Sequence, residues 1–243
     1  MTKENFHIHK SPEDLANQFA SQLIDWIINH SENEFHLAIS GGKTPDLLFA
    51  TLAEKNLSKN FWQKVHFWWV DERMVSPTDK ESNFGVAYKL LFSKIPIPEE
   101  NIHRIKGENA PEPEAQSYAL QIARELPDKE GLPVFDLILL GMGDDGHTAS
   151  IFPNQMDLLE STEICAVATH PVSRQKRVTL TGKVINTAER ICFLVTGNAK
   201  AERLNEINNY PEKAKTLPAA YIRPIAGKLE WHVDTEAVSR LKL

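Results

Sequence analysis

An α/β fold, with a mostly parallel sheet flanked by helices on both faces, is what this sequence predicts. Three features lead there. Segments of strand length alternate along the chain with segments of helical periodicity, the order expected of parallel strands joined by crossover helices. The strand candidates are apolar almost throughout, as burial on both faces demands, instead of alternating apolar with polar. Several end in glycines or charged residues, and ligands in open α/β sheets bind outside the carboxyl ends of strands.

Ser11, Pro12 and Asp14 supply a cap, a proline at the first helical position and a carboxylate near the positive helix end. Leu15, Phe19, Leu23 and Ile27 then recur on one face, so a helix against the core follows. Residues 35–40 read as a strand, Gly41 and Gly42 as a turn, and Thr44-Pro45 as the start of a second helix reaching about Lys55. Residues 65–70, rich in aromatics, form a buried strand that delivers Asp71, Glu72 and Arg73 into a loop containing Pro77. Helices are expected over 83–93 and 112–126, with a proline-marked turn and a short strand at 101–105 between them. Pro111 and Pro113 mark a surface connection rather than a hinge, because the pattern around them continues without a shift in composition. The run 135–140, apolar except for Asp136, ends in Gly141, Gly143 and Gly146, which permit turns that other residues resist. Later strands fall at 163–168, 177–180 and 191–196, the last followed by Gly197-Asn198 and a helix from about Ala199 that contains Lys200.

No internal repeat or low-complexity linker divides the 243 residues, so one domain spanning 1–243 is expected. With 42% hydrophobic and 25% charged residues the chain has the composition of a soluble globular protein, which excludes a fibre or a disordered tail. The net charge of -6 lacks the basic footprint of a nucleic-acid binder, so an anionic ligand must be small and met by a local basic cluster. The two cysteines, Cys165 and Cys192, sit in strand candidates without metal or disulfide spacing and read as reduced core thiols. The amino-terminal stretch MTKENFHIHKSPEDL has no apolar leader core, and no segment approaches the roughly 18 apolar residues that span a bilayer. A cytoplasmic protein with no membrane partner is therefore expected.

Gly141, Gly143 and Gly146 have the G-x-G-x-x-G spacing of dinucleotide loops, but Asp144 and Asp145 would repel a pyrophosphate and Pro153 soon interrupts. A nicotinamide cofactor does not fit. Gly42-Lys43-Thr44 echoes the end of a triphosphate-binding loop, but Leu37 stands where its upstream glycine belongs. What survives is a turn and helix start, Ser40 to Thr44, able to hold one phosphate through backbone N–H groups. Asp145 and His147 are two residues apart, close enough for the carboxylate to orient the imidazole as a general base requires. Of nine histidines, only His147 sits in a glycine-rich strand end. A metal site from Asp144, Asp145 and His147 is disfavoured, because nearby Cys or His ligands are lacking. Arg73, Arg177 and Lys200 each lie near a strand end or helix start, and together they could form the basic cluster.

Several motifs together resemble one family: SGGKTP at 40–45, FWWVDER at 67–73, SNFG at 82–85, LLGMGDDGHTASIFP at 139–153, RVTLTGKVINTA at 177–188 and LPAAYI at 217–222. They occur in the order of the 6-phosphogluconolactonases and span nearly the whole chain. The resemblance implies a metal-independent, cofactor-free hydrolase of the oxidative pentose phosphate pathway acting on a phosphorylated sugar lactone. It also implies the Rossmann-like fold of the glucosamine-6-phosphate deaminases, the alternative activity. Deaminases carry a glutamate five residues beyond the corresponding histidine, where this chain has Phe152, and an aromatic residue where it has Arg73. Both departures favour the lactonase; a non-catalytic sugar-phosphate sensor is a third class. On this reading His147 is the general base, Asp145 orients it, and either the glycine-loop N–H groups or Arg73 meet the oxyanion. Asp71 orders Arg73 or a sugar hydroxyl. The resemblance further implies that Arg177 and Lys200 grip the phosphate together with the turn formed by Gly41, Gly42, Lys43 and Thr44.

Overall fold

The computed structural model describes residues 6–241, so residues 1–5 of the stretch read for a leader core lie outside the described residues. The strands are β1 (Phe6–His9), β2 (Phe35–Ile39), β3 (Val65–Trp69), β4 (Asp71–Arg73), β5 (Ile102–His103), β6 (Asp128–Lys129), β7 (Leu132–Pro133), β8 (Leu137–Leu140), β9 (Cys165–Thr169), β10 (Lys176–Leu180), β11 (Arg190–Val195) and β12 (Lys228–Asp234). The helices are α1 (Pro12–Ile28), α2 (Lys43–Glu54), α3 (Lys59–Trp62), α4 (Asn83–Leu90), α5 (Pro111–Glu125), α6 (Gly182–Thr187), α7 (Ala201–Asn209) and α8 (Pro211–Ala214). Seven strands form one sheet in the order β1-β12-β11-β8-β2-β3-β5, with every pair parallel. The chain leaves β2 through α2 toward β3 on one side, whereas β8 lies on the other side of β2 and leads away toward β11. The carboxyl ends of β2 and β8 thus diverge around a crevice, the switch point where open α/β sheets receive ligands.

Local chemistry explains the elements. The Ser11 side chain accepts from the Asp14 N–H, Pro12 begins α1, and Leu15, Phe19, Leu23 and Ile27 are all buried against the sheet. Each such side chain contributes roughly 1.5–3 kcal/mol on leaving water. Strands β2 and β8 are buried at every position, matching a sequence that is apolar throughout in β8 and apolar but for His36 in β2. Cys165 and Cys192 are buried on β9 and β11, and burial pushes both thiols up, away from thiolate reactivity. Among the described residues no helix is long and apolar enough to cross a membrane.

Two expectations are corrected. Pro111 and Pro113 are not a connection: α5 begins at Pro111, and both prolines occupy its first turn, where a missing N–H costs no helical bond. Asp71, Glu72 and Arg73 are not a loop but strand β4, the edge of a separate antiparallel sheet ordered β4-β10-β9. Val70 is the transfer point. Its N–H donates to the Ile39 carbonyl in the large sheet, while its own carbonyl accepts from Leu180 N–H in the small one.

His36, His66 and His103 stand side by side at the β2, β3 and β5 end of the large sheet, with a His66 Nδ1 to His103 Nε2 distance of 3.0 Å. Trp68 stacks on His103 at 3.9 Å and donates from Nε1 to His36 Nδ1. Burial, reinforced by the neighbouring His66, holds His36 down at about 4; burial also lowers His103 to about 4 against the pull of Glu125. An unfolded chain binds these protons near pH 6.5. Stability is therefore complete above pH 6.5 and lost as pH falls toward 4, by roughly 3 kcal/mol for one such ring. The expected melting temperature drops between pH 7 and pH 4, and His103→Gln flattens that slope. A wild-type midpoint constant over this range contradicts the assignment.

Candidate active site

At the end of β2, the Ser40 hydroxyl donates to the Leu139 carbonyl at 2.8 Å, tying this strand end to β8. A Cβ on Gly41 would stand 1.9 Å from Asn83 Oδ1, and Gly42 has φ of +119°, so both glycines are required by space or conformation. Helix α2 then starts at Lys43, with Gly42 as its cap and no side chain bonded to its first N–H groups. Thr44 Oγ1 lies 2.8 Å from Thr196 Oγ1 at the end of β11.

Strand β4 contributes through its alternation. Asp71 and Arg73 border the cleft, while Glu72 between them points the other way and is buried. Its carboxylate accepts from Ser82 Oγ and from the N–H groups of Arg73, Asn83 and Phe84 at 2.7–3.0 Å, which caps α4. Burial raises the Glu72 carboxyl and those N–H donors pull it back. The capped helix holds Asn83 against the site, where Nδ2 donates to the Asp71 carbonyl at 2.8 Å. Asn83 lines the cleft, as do Met142 and Ala149. None was singled out from the sequence, although SNFG and the Gly141 to Pro153 motif contain them.

The loop after β8 is closed on itself. Gly143 N–H donates to the His147 carbonyl, Gly146 N–H to the Gly143 carbonyl, and Thr148 Oγ1 to the Gly141 carbonyl. Gly146 has φ of +82°, and Ala219 N–H donates to its carbonyl. Asp145 Oδ1 sits 2.5 Å from His147 Nδ1 and accepts the His147 backbone N–H at 3.1 Å. Burial alone would raise the Asp145 carboxyl, but its hydrogen bonds and the imidazole charge hold it down at about 2. An ionised Asp145 keeps the ring proton on Nδ1 and leaves the Nε2 lone pair free. The ring packs against Phe152 with centroids 4.8 Å apart.

Register on the small sheet sets Arg177 directly across from Arg73. Arg177 lies over the Phe152 ring, with Nη1 3.9 Å from Asp71 Oδ2, and burial lowers its pKa against the opposing pull of Asp71. Arg73 donates from Nη1 to the Glu81 carbonyl at 2.6 Å. The Nε atoms of both arginines are buried without a partner.

His147, Arg73, Arg177, Asp71, Gly41 and Gly143 thus share one cleft of about 130 Å³, together with Ser40 and Gly141. Asp145 stands behind the imidazole, and Gly146 shapes the turn. Gly42, Lys43 and Thr44 follow Gly41 but do not line the cleft. Lys200 departs from expectation: its ammonium pairs with the Asp144 carboxylate instead of lining the cleft beside Arg177. Of the two roles expected of Asp71, the ordering of Arg73 is not what the structure shows, since its side chain meets Ser150 and Arg177. Asp144 pairs with Lys200 and Asp145 with His147, so the two carboxylates do not converge on one point. Among the described residues the one three-residue group with metal-ligand spacing is His7, Glu230 and His232, none in the cleft, and Arg190 occupies its carboxylate. A larger hollow of about 560 Å³ opens at the amino ends of β2, β8, β11 and β12, the end opposite to ligand sites in this class.

A parallel sheet with an Asp-His pair and two arginines at its switch point defines a Rossmann-like α/β protein with a candidate active site at that point. Residues 10–231 match the model of the glucosamine-6-phosphate isomerases/6-phosphogluconolactonase family, and the chain belongs to that family. It is 45% identical over 238 residues to a 6-phosphogluconolactonase of Haemophilus influenzae, covering 98% of this chain and 100% of that one. A solved structure of a protein called devB superposes with a TM-score of 0.92 at 42% identity, over 98% of this chain and 99% of that one. A monomeric glucosamine-6-phosphate deaminase shares the fold, with a TM-score of 0.80 at 21% identity over 98% of this chain and 100% of that one.

Proposed function

We propose that this chain, acting as one cytoplasmic domain, hydrolyses 6-phospho-D-glucono-1,5-lactone to 6-phosphogluconate in the oxidative pentose phosphate pathway. The observation that carries the reading is an imidazole oriented by Asp145, with its Nε2 free, in the same cleft as Arg177. A lactone is a cyclic ester, so three tasks must be met: water activation, oxyanion stabilisation and protonation of the ring oxygen. His147 Nε2 takes a proton as water oxygen bonds to the lactone carbonyl carbon. The tetrahedral intermediate collapses, the bond from that carbon to the ring oxygen breaks, and the imidazolium returns the proton to the departing oxygen. Asp145 stabilises the imidazolium between the two steps.

Between the two groups that could meet the oxyanion, the hydrogen bonds favour Arg73. The N–H groups of Gly143 and Gly146 are already used within their own loop, whereas Arg73 lines the cleft with only Nη1 of its guanidinium nitrogens given a partner. Arg177 and the helix start after Gly41 suit the phosphate, one offering a fork of donors and the other directed N–H groups. Lys200 reaches that phosphate only by leaving Asp144. The position that carries the deaminase glutamate holds Phe152, a buried ring with no proton to relay, which weighs against amino-sugar chemistry.

Arg177→Ala tests the binding half of this reading. The expected result is a rise in KM for the phosphorylated lactone of about 10- to 100-fold, the worth of a hydrogen bond to a charged group. KM for unphosphorylated gluconolactone should stay near its wild-type value. Equal effects on the two lactones would contradict the role.

A further inference from the structure

Asp71 and Arg177 are opposite charges in one buried corner, yet they do not form a close ion pair. Their nearest atoms, Nη1 and Oδ2, are 3.9 Å apart, and the Arg177 Nε is buried without a partner. Ser150 lies between them. Its hydroxyl donates to Asp71 Oδ2 at 2.5 Å, and its oxygen accepts from Arg177 Nη1 at 3.5 Å. The Ser150 side chain is fully buried and does not line the cleft. Backbone geometry aims it there: Ala149 adopts φ of +49°, a left-handed conformation uncommon outside glycine, and Ser150 N–H donates to Thr179 Oγ1 on β10. A strained residue directly before a buried hydroxyl points to a constraint imposed by the site.

We infer that Ser150 is a positioning residue, a hydroxyl spacer that satisfies the Asp71 carboxylate and so keeps the Arg177 guanidinium free for an anionic group of the substrate. The inference rests on the Arg177 role proposed above. An unoccupied buried carboxylate and guanidinium attract each other strongly, and a carboxylate that has lost its donor must find another. Without the hydroxyl, Asp71 closes on Arg177 in a direct pair, and a phosphate must break that pair to bind. Substrate capture then suffers while the His147 chemistry does not.

The test combines steady-state kinetics with competitive inhibition by inorganic phosphate. Ser150→Ala is expected to raise both the KM for phosphorylated lactone and the Ki for phosphate about 10-fold, with kcat within about 3-fold of wild type. Adding Asp71→Asn to Ser150→Ala should recover most of the phosphate affinity, because an amide cannot form the competing ion pair. Asp71→Asn alone should tighten phosphate binding, a direction that general damage to the site would not give, and it serves even if Ser150→Ala fails to fold. Unchanged KM and Ki in Ser150→Ala, beside a raised KM in Arg177→Ala, would overturn the spacer role alone. Unchanged values in both variants would remove the Arg177 role and the spacer with it. Weaker phosphate binding by Asp71→Asn would also overturn the inference.

Discussion

His147→Ala should lower kcat for lactone hydrolysis by about 10²- to 10⁴-fold, the range that positioned acid-base catalysis supplies. The fold should survive, since the ring is one-quarter exposed and its side-chain contacts are with the loop's own Asp145 and with Phe152. KM should move little, because phosphate capture lies with other groups. Measurement by pH-stat with freshly made lactone, after subtraction of spontaneous opening, separates the two parameters. Turnover near the wild-type value, with circular dichroism unchanged, would remove the imidazole from the mechanism.

Gly143→Ala is expected to do comparable damage without touching any ionisable group. A Cβ there would sit 2.2 Å from both Cε1 and Nδ1 of His147 and 2.8 Å from Asp145 Oδ1, far inside contact distance. The ring must swing away, and the bond that fixes its tautomer lengthens with it. Misplacing a catalytic group by about 1 Å costs on the order of 10²-fold, so kcat should fall by at least that much. Wild-type kcat in Gly143→Ala would show that crowding of the imidazole is not what this glycine prevents.

These contrasts show what was legible in the sequence. Strands β2 and β8 were readable because burial on both faces leaves a run that is apolar throughout in β8 and broken only by His36 in β2, and the Asp145-His147 pair because its partners are two residues apart. Strand β4 was not readable. Three consecutive charged residues have no apolar face, and their strand character comes from pairing with β10, more than a hundred residues away. The same pairing sets Arg177 against Arg73 and brings Ser150 to Asp71, so the bridging hydroxyl had no local signal. Asn83 was likewise one asparagine among many until Glu72 capped α4 and turned it to the cleft. Lys200 illustrates another limit, a partner set by the fold. A lysine after a strand end reads as a phosphate ligand, whereas its pairing with Asp144, 56 residues earlier, has no local signal.

A paired assay on the purified chain tests the central claim most directly: acid release from 6-phosphogluconolactone beside ammonia release from glucosamine-6-phosphate, under one set of conditions. The expected result is lactone opening well above the spontaneous rate with no ammonia formed. Ammonia release, or lactone opening no faster than in buffer, would contradict the account.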